Sequence, residues 1–310
     1  MPKLVVSARP WTRVALACGA ALALLAACNE RPGRTVTEGA NPTPPLTPLM
    51  GAEVLVGAGD IASCNATGDE ATAALLDRIP GTVFTAGDNV YPNGTADEFR
   101  ACYGPTWGRH RARTFPVPGN HDYRSTGAAP YFAYFGERAG PRGKGFYSFE
   151  LGEWLILMLN TNIAVGAESE QAVWLRAQLA GRSGRCEIAI AHHPRFSSGP
   201  HGSERRMSAI WQILYEAGVE LALAGHDHNY ERFAPMNPAG TRDEQRGVRQ
   251  FVVGTGGFKP YRPRRGQPNS EVLAGATGVI KLSLGDGLYQ WEFVPVARET
   301  FRDWGGGRCR

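Results

Sequence analysis

The sequence predicts an α/β fold, because short apolar segments that read as strands alternate with segments that read as helices. Five of the strand segments end in small residues followed by a polar turn, at residues 54–56, 82–86, 114–117, 188–191 and 219–224. Helices are expected between them, at residues 68–79, 168–179 and 204–217. Ligands in α/β sheets bind beyond the carboxyl ends of the strands, so we expect the five polar turns to meet in space.

The remaining strands are expected at residues 145–151, 154–160, 249–254, 278–284 and 288–295. The first two of these are expected to form a hairpin across Gly152 and Glu153. No internal repeat of solenoid length is visible, and no second linker divides the chain after residue 50.

The first 27 residues have the features of a bacterial lipoprotein signal peptide. Three basic residues, Lys3, Arg9 and Arg13, precede an apolar stretch at 14–27 that is too short to span a bilayer comfortably. The stretch ends in Leu-Ala-Ala-Cys, which resembles a lipobox, so we expect cleavage before Cys28 and lipidation of that cysteine. The alternative is an ordinary signal peptide or anchor helix in which Cys28 is incidental.

Residues 28–50 are expected to form a tether between the lipid and the folded part of the chain. This segment is rich in Pro and Thr and has almost no large apolar residues, a composition that favours extended conformations. The catalytic domain is therefore expected to occupy residues 51–310. We expect an exported lipoprotein, anchored to the membrane through Cys28 and facing the periplasm or the cell surface.

The charge of the mature chain gives no sign of a nucleic-acid partner. Removal of residues 1–27 takes away three positive charges and no negative ones, so the formal net charge falls from +4 to +1. A nucleic-acid-binding protein would need a clustered basic face instead of scattered arginines.

The cysteine count predicts two disulfides in the exported protein. Cys18 is lost with the signal peptide and Cys28 is lipidated, which leaves four cysteines: Cys64, Cys102, Cys186 and Cys309. An even number in an oxidising compartment favours disulfide bonding. Three pairings are possible. Cys64 with Cys102 and Cys186 with Cys309 are favoured, since the second pair would fasten an otherwise loose glycine-rich tail.

The polar turns contain seven side chains that suit a metal site. They are Asp60, Asp88, Tyr91, Asn120, His192, His226 and His228. Each offers oxygen or imidazole and none is a cysteine, a set that suits iron, manganese or zinc. Seven ligands are too many for one catalytic metal, but they divide between two metals about 3.5 Å apart that share one carboxylate. Any one of these residues alone would more often be a turn residue, so the prediction depends on their joint occurrence.

The ordered motifs at these strand ends resemble those of a known family. In chain order they read Gly-Asp, Gly-Asp-Asn-Val-Tyr, Gly-Asn-His-Asp, His-His-Pro and Gly-His-Asp-His. This series is similar to that of the calcineurin-like metallophosphoesterase superfamily, and Tyr91, three residues after Asp88, narrows the resemblance to the purple acid phosphatase type. The resemblance covers residues 53–297 and implies a small single-domain form. It implies a four-layer αββα sandwich with two mixed β-sheets.

The resemblance also implies a role for each candidate ligand. The first metal, expected to be Fe(III), would be held by Asp60, Asp88, Tyr91 and His228. The second metal, a divalent iron, zinc or manganese ion, would be held by Asp88, Asn120, His192 and His226. Asp88 would therefore bridge the two metals.

Five further residues are expected around the metals. His121 and His201 match the two substrate-facing histidines of the family, so a catalytic role is expected for both. Asp122, His193 and Asp227 are expected to lie beside the ligands without binding metal.

These features predict an acid phosphatase that hydrolyses phosphomonoesters through a metal-bound hydroxide. Two other hypotheses remain. One is a phosphodiesterase with the same metal site, because members of the superfamily differ in pocket shape more than in ligands. The other is a surface lipoprotein that keeps the fold without catalysis, which is less favoured because no ligand position is degraded.

Overall fold

The structure is a computed structural model that describes residues 47–310, apart from 142, 182–184 and 264. The predicted signal peptide at 1–27, the lipobox residue Cys28 and the tether up to residue 46 lie outside the described residues. Among the residues that are described, no helix is both long and apolar enough to cross a membrane.

Fifteen strands are found in the described part of the chain. They are β1 (Glu53–Ala58), β2 (Ala62–Ser63), β3 (Thr82–Ala86), β4 (Val90–Tyr91), β5 (Thr114–Val117), β6 (Tyr147–Leu151), β7 (Trp154–Met158), β8 (Cys186–Ile190), β9 (Leu221–Ala224), β10 (Tyr230–Met236), β11 (Val248–Val253), β12 (Ser270–Ala274), β13 (Gly278–Leu284), β14 (Leu288–Pro295) and β15 (Trp304–Arg308).

The same residues form five α-helices and several short helical turns. The α-helices are α1 (Gly68–Leu76), α2 (Ala96–Glu98), α3 (Ala129–Phe135), α4 (Glu170–Leu179) and α5 (Ser208–Ala217). A π-helical turn follows α2 at Phe99–Tyr103. The 3₁₀ turns are Trp107–Arg113, Asp122–Arg124, Thr126–Ala128, Gly136–Ala139 and Arg205–Met207.

Thirteen of the fifteen strands form two large mixed sheets, and β2 pairs with β4 in a separate two-stranded sheet. The first has six strands in the order β15-β14-β13-β1-β3-β5, and its β1, β3 and β5 run parallel to one another. The second has seven strands in the order β12-β10-β11-β9-β8-β7-β6, with β11, β9, β8 and β7 parallel. The remaining strands of both sheets pair antiparallel with their neighbours, which makes both sheets mixed as predicted.

The sheets pack face to face, with helices covering both outer faces. Leu55 of β1 and Ile156 of β7 belong to one buried apolar cluster between the sheets. Their strand neighbours point the opposite way because side chains alternate along a strand. Val56 packs in a cluster with α1 and α3, and Leu155 packs in another with α4 and α5. The architecture is therefore the four-layer sandwich that was predicted.

The predicted helices are present but shorter than expected. Helix α1 ends at Leu76 instead of residue 79, and Pro80 disfavours a helical conformation at Ile79, the residue before it. Helix α4 begins at Glu170 because the Ser169 side chain caps it, accepting a hydrogen bond from the Ala172 amide at 3.2 Å. Residues 205–207 form a 3₁₀ turn, and the α-helical part of the third segment begins only at Ser208.

The glycine-rich tail, expected to be loose apart from its disulfide, is instead a strand. It forms β15, which pairs antiparallel with β14 at the edge of the first sheet. Its glycines permit this pairing, since a Cβ at Gly305 would lie 2.2 Å from the Trp291 ring. Strands β2, β4, β10 and β12 were also not predicted.

Two disulfides join distant parts of the fold. Cys64, after β2, is bonded to Cys102 in the π-helical turn. Cys186 of β8 is bonded to Cys309, directly after β15. These are the two pairs that the sequence favoured, and the second links the edge of the first sheet to the middle of the second sheet.

Candidate metal centre

The polar turns of the two sheets meet at one edge of the sandwich. Asp60, Asp88 and Asn120 follow the neighbouring parallel strands β1, β3 and β5, and His192 and His226 follow the neighbouring strands β8 and β9. Because parallel strands end at the same edge, the turns of each sheet lie side by side.

Short bonds then hold the two sets of turns together. The His192 imidazole donates from Nδ1 to the Ala86 carbonyl oxygen of the first sheet at 2.9 Å. In the other direction, the backbone amide of His226 donates to Asp60 Oδ2 at 2.8 Å. The edge is therefore one continuous site and not two neighbouring loops.

One group of donor atoms surrounds the hydroxyl of Tyr91. This oxygen lies 2.7 Å from Asp60 Oδ1, 2.9 Å from Asp88 Oδ2 and 3.2 Å from His228 Nε2. His228 Nε2 is also 3.4 Å from Asp60 Oδ1. Three oxygens and one imidazole nitrogen thus converge, and all four residues are buried. They are the set predicted for the first metal.

A second group forms on the other side of Asp88. His192 Nε2 lies 3.4 Å from Asp88 Oδ1 and 2.9 Å from Asn120 Oδ1. The His226 ring packs beside it, with its centroid 5.1 Å from that of His192. Asp88 therefore presents Oδ2 to the first group and Oδ1 to the second, which is the arrangement a bridging carboxylate requires.

The backbone at this edge adopts conformations that few side chains accept. Asp60, Asp88 and His226 have φ values of 61°, 47° and 73°. Left-handed conformations at non-glycine residues cost energy and persist only when the surrounding structure fixes them. Gly119 is needed for the close approach, because a Cβ there would lie 2.1 Å from Asp88 Oδ1.

The imidazoles of His192 and His228 are oriented through their second nitrogen. His192 Nδ1 donates to the Ala86 carbonyl at 2.9 Å, and His228 Nδ1 donates to the Lys259 carbonyl at 3.2 Å. Each bond leaves Nε2 facing the carboxylates. Metal-binding histidines in proteins are commonly held in this way, which fixes the tautomer and the ring direction.

The charges of the site favour protons on Tyr91 and His192 when no metal is bound. Burial, together with Asp60 and Asp88, raises the pKa of Tyr91 well above its usual value. Burial opposes a charge on His192, but the neighbouring Asp88 carboxylate raises its pKa to about 9. Burial alone would raise the pKa of Asp88, but the nearby His192 imidazole holds it below its usual value. Burial raises the pKa of Asp60.

His193 lies close to the second group, although it was predicted to stand beside the ligands without binding metal. One ring nitrogen each from His192, His193 and His226 lie within 4.8 Å of one another. His193 Nδ1 is 2.7 Å from Thr161 Oγ1, and the Thr161 hydroxyl also accepts from the His193 amide at 3.2 Å. Its ring centroid is 4.4 Å from that of His226, so it packs against a predicted ligand.

His121 and His201 flank the two groups. His121 Nε2 lies 4.0 Å from Asp88 Oδ2, and its ring lies 4.3 Å from that of Tyr91 between centroids. The His201 ring lies on the other side, with its centroid 4.4 Å from that of His226. The structure therefore brings both predicted substrate-facing histidines to the rim of the site, one beside each group.

Asp122 and Asp227 stabilise the turns that carry these histidines. Asp122 Oδ2 accepts from the Gly119 amide at 2.8 Å and from the Asn89 side chain at 2.9 Å. Asp227 Oδ1 accepts from the His201 amide at 3.0 Å, and its other oxygen accepts from the Ser197 hydroxyl. Both oxygens of Asp227 are therefore bonded to the loop that carries His201, whereas Asp122 Oδ1 is buried without a hydrogen-bond partner among the described residues.

Two aromatic residues of the site were missed from the sequence. Phe258 stacks on Tyr91 at a centroid distance of 3.8 Å and an interplanar angle of 10°. Tyr261 stacks on His228 at 4.3 Å and 8°. No motif marks them. The available signal was their position after the Gly-Thr-Gly-Gly turn that ends β11, a parallel strand next to β9.

Comparisons with known proteins identify the family and the fold. The family model described as calcineurin-like phosphoesterase matches residues 55–230. Purple acid phosphatase 21 of Arabidopsis thaliana is 27% identical over 158 residues, which are 49% of this chain and 35% of that protein. The matched stretch is therefore only about a third of that relative.

Two solved structures have the same fold. A purple acid phosphatase from yellow lupin (Lupinus luteus) seeds superposes with a TM-score of 0.65 and 20% identity, over 84% of this chain and 54% of that chain. GAP50, described as the anchor in the inner membrane complex of Plasmodium, superposes with a TM-score of 0.65 and 13% identity. The match covers 83% of this chain and 89% of that chain. At these identities the likeness concerns the fold alone.

Proposed function

Because the chain belongs to the calcineurin-like phosphoesterase family, we propose that it is a dinuclear metal-dependent hydrolase of phosphomonoesters. The observation that carries the proposal is the position of Asp88. This carboxylate is only 1% exposed and directs one oxygen to each of two separate groups of donor atoms. A buried carboxylate shared in this way suits two adjacent metals and is costly without a positive partner.

The donor set suits the metals that the sequence implied. Asp60, Asp88, Tyr91 and His228 would hold Fe(III), and Asp88, Asn120, His192 and His226 would hold a divalent iron, zinc or manganese ion. A phenolate and carboxylates are hard oxygen donors, and imidazole binds all of these metals. The fit is supported by the Tyr91 hydroxyl, which lies 2.7 to 3.2 Å from one atom each of Asp60, Asp88 and His228, and by the 3.4 Å distance between His228 Nε2 and Asp60 Oδ1.

The metals would supply Lewis acidity and would lower the pKa of a water molecule far below its value in bulk water, to about 7. The protein would contribute three negative charges, from Asp60, Asp88 and the tyrosinate form of Tyr91. Against the five positive charges of Fe(III) and a divalent ion, this leaves two positive charges in a site whose ligands are mostly buried. Such a site would attract a phosphate dianion.

His121 and His201 would act on the phosphoester from the rim. Each imidazolium can donate a hydrogen bond to a phosphoryl oxygen, and either can pass a proton to the departing alkoxide. Proton transfer of this kind contributes typically about 10²- to 10⁴-fold in rate. Their placement on opposite sides, beside Tyr91 and beside His226, supports a substrate held between them.

The fold alone does not imply catalysis, since GAP50 has the same fold and is described as an anchor. The intact donor set is what favours hydrolysis for this chain. For the chain as a whole we infer a catalytic domain at 51–310, preceded by a lipoprotein signal peptide and a tether, and anchored at the periplasmic or cell surface through Cys28.

The proposal is tested by parallel assays of the metal-loaded protein on p-nitrophenyl phosphate and bis-p-nitrophenyl phosphate. We expect the monoester to be hydrolysed with the higher kcat/KM. A preference for the diester would assign the same site to a phosphodiesterase. Full metal loading with no turnover of either compound would contradict hydrolysis and favour a non-catalytic lipoprotein.

A further inference from the structure

The segment between β11 and β12 closes one side of the metal centre. Phe258 covers the Tyr91 ring and Tyr261 covers the His228 ring, both in nearly parallel stacks. Neither residue belongs to a motif that the family resemblance identified. Together they place two aromatic faces against two of the four residues proposed to hold the first metal.

Backbone contacts hold this segment in one position. The Tyr261 amide donates to the His228 carbonyl oxygen at 2.7 Å, and the Lys259 carbonyl accepts from His228 Nδ1 at 3.2 Å. Lys259 has a φ of 31°, an unusual value for a non-glycine residue. Gly275 packs closely against the segment. A Cβ at this position would lie only 2.2 Å from the Tyr261 carbonyl oxygen, so a larger residue would not fit.

The hydroxyl of Tyr261 reaches His201, which flanks the second group. It lies 3.1 Å from His201 Nε2, within hydrogen-bonding distance. The backbone of His201 is fixed separately, by its amide bond to Asp227 Oδ1 at 3.0 Å. His201 is therefore held at its backbone by one element and at the tip of its ring by another.

The bond matters because His201 is exposed at the rim. An exposed side chain has several accessible rotamers and loses entropy when it is ordered on a substrate. A hydrogen bond that selects one rotamer in advance reduces that cost. A phenol can both accept and donate, so its hydroxyl can hold the imidazole in either protonation state.

We propose that Tyr261 is a positioning residue, whose hydroxyl fixes the His201 imidazole where it meets the phosphate ester and whose ring shields His228. The inference rests on the proposed function and extends it to a residue outside the metal-ligand motifs. The stack and the hydrogen bond are separable, because phenylalanine keeps the ring and loses only the hydroxyl.

The test compares Tyr261→Phe, Tyr261→Ala and the wild type, with Tyr215→Phe as a matched control. Tyr215 also loses a single hydroxyl bond, to Asp243 Oδ2 at 2.9 Å, but it lies on helix α5 in the outer helical layer. Four quantities are measured on each protein: metal per chain, kcat, KM, and the affinity for inorganic phosphate by calorimetry.

We expect Tyr261→Phe to keep its metals and its fold but to bind phosphate about 3- to 10-fold more weakly, the effect of one hydrogen bond. KM should rise by a similar factor and kcat should fall by less. Tyr261→Ala should also lose part of its metal, because the stack on His228 is gone. Tyr215→Phe should match the wild type.

Two results would overturn the inference. One is a Tyr261→Phe protein that stays within twofold of the wild type in both phosphate affinity and KM. The other is a Tyr261→Phe protein that loses metal as Tyr261→Ala does, which would make Tyr261 a support of the metal site alone. A wild type that binds metals and phosphate but hydrolyses no ester would instead contradict the proposed function, while the phosphate affinities would still test Tyr261.

Discussion

The Tyr91 hydroxyl lies 2.7 Å from Asp60 Oδ1, and it carries a proton that a metal at this position must displace. Burial and the two neighbouring carboxylates raise the pKa of this phenol well above its usual value. His192 presents the same situation, since its raised pKa of about 9 keeps it protonated at neutral pH. Metal binding is therefore expected to compete with protons at both residues.

The first prediction is that metal binding to the metal-free protein releases protons and strengthens as the pH rises. Both pKa values are raised, so the protonated forms persist up to about pH 9 for His192, and the affinity should increase between pH 6 and 8. The increase is up to about tenfold per pH unit for each proton released. Calorimetry in two buffers of different ionisation enthalpy counts the protons. An affinity independent of pH in this range would contradict the assignment.

The second prediction concerns colour. If Tyr91 binds Fe(III) as a tyrosinate, the iron-loaded protein should absorb visible light, and Tyr91→Phe should lose that band while staying folded. The variant should also release one proton fewer on metal binding. Phe258→Leu is the matched control, since it removes the ring stacked on Tyr91 but leaves the hydroxyl. An iron-loaded, fully active and colourless wild type would refute the tyrosinate role.

The third prediction compares the two disulfides. The Cys186–Cys309 bond closes a loop of 123 residues and the Cys64–Cys102 bond a loop of 38. In the chain-entropy account the longer loop contributes about 5 kcal/mol and the shorter about 4 kcal/mol. Cys309→Ala should therefore lower the free energy of unfolding by about 1 kcal/mol more than Cys64→Ala.

Urea unfolding of the metal-free proteins measures this difference. Each variant removes the more exposed partner and leaves the buried thiol in place, which keeps the two comparable. A larger loss of unfolding free energy for Cys64→Ala than for Cys309→Ala would contradict this prediction. It would show that native packing of the π-helical turn outweighs the loop-closure entropy.

The fourth prediction concerns the buried Asp303, which anchors the start of the C-terminal strand. It accepts from the Tyr230 hydroxyl at 2.6 Å, from Arg232 Nε at 2.8 Å and from Trp291 Nε1 at 3.0 Å. Asp303→Ala removes a buried partner of Arg232 and should cost about 3–5 kcal/mol in the free energy of unfolding. The exposed Asp286→Ala should change it by less than about 0.5 kcal/mol. If Asp303→Ala were as stable as Asp286→Ala, Glu271 alone would be a sufficient partner for Arg232.

The strand ends of the metal centre could be predicted because their signals are local. An apolar run, a small residue and a polar side chain occur within a few positions, as in the segments that lead to Asp60 and Asp88. The disulfide pairs could be predicted for a different reason: four cysteines allow only three pairings.

The missed parts depend on tertiary context. Strand β15 contains three consecutive glycines, so its strand character comes from pairing with β14 and not from propensity. Tyr261 has no motif because its role arises from contacts with His201 and His228, which lie 60 and 33 positions away in the sequence. Such contacts are invisible before the fold is known.

The central claim is that Asp88 bridges two metals that hydrolyse phosphomonoesters. Its most direct test measures metal per chain and p-nitrophenyl phosphate hydrolysis on the same samples of wild type and Asp88→Asn, which is nearly isosteric. We predict that the wild type holds two metals per chain and turns over the ester. We predict that the variant loses the two-metal centre and the hydrolysis together. An Asp88→Asn protein that keeps two metals and full activity would contradict the account.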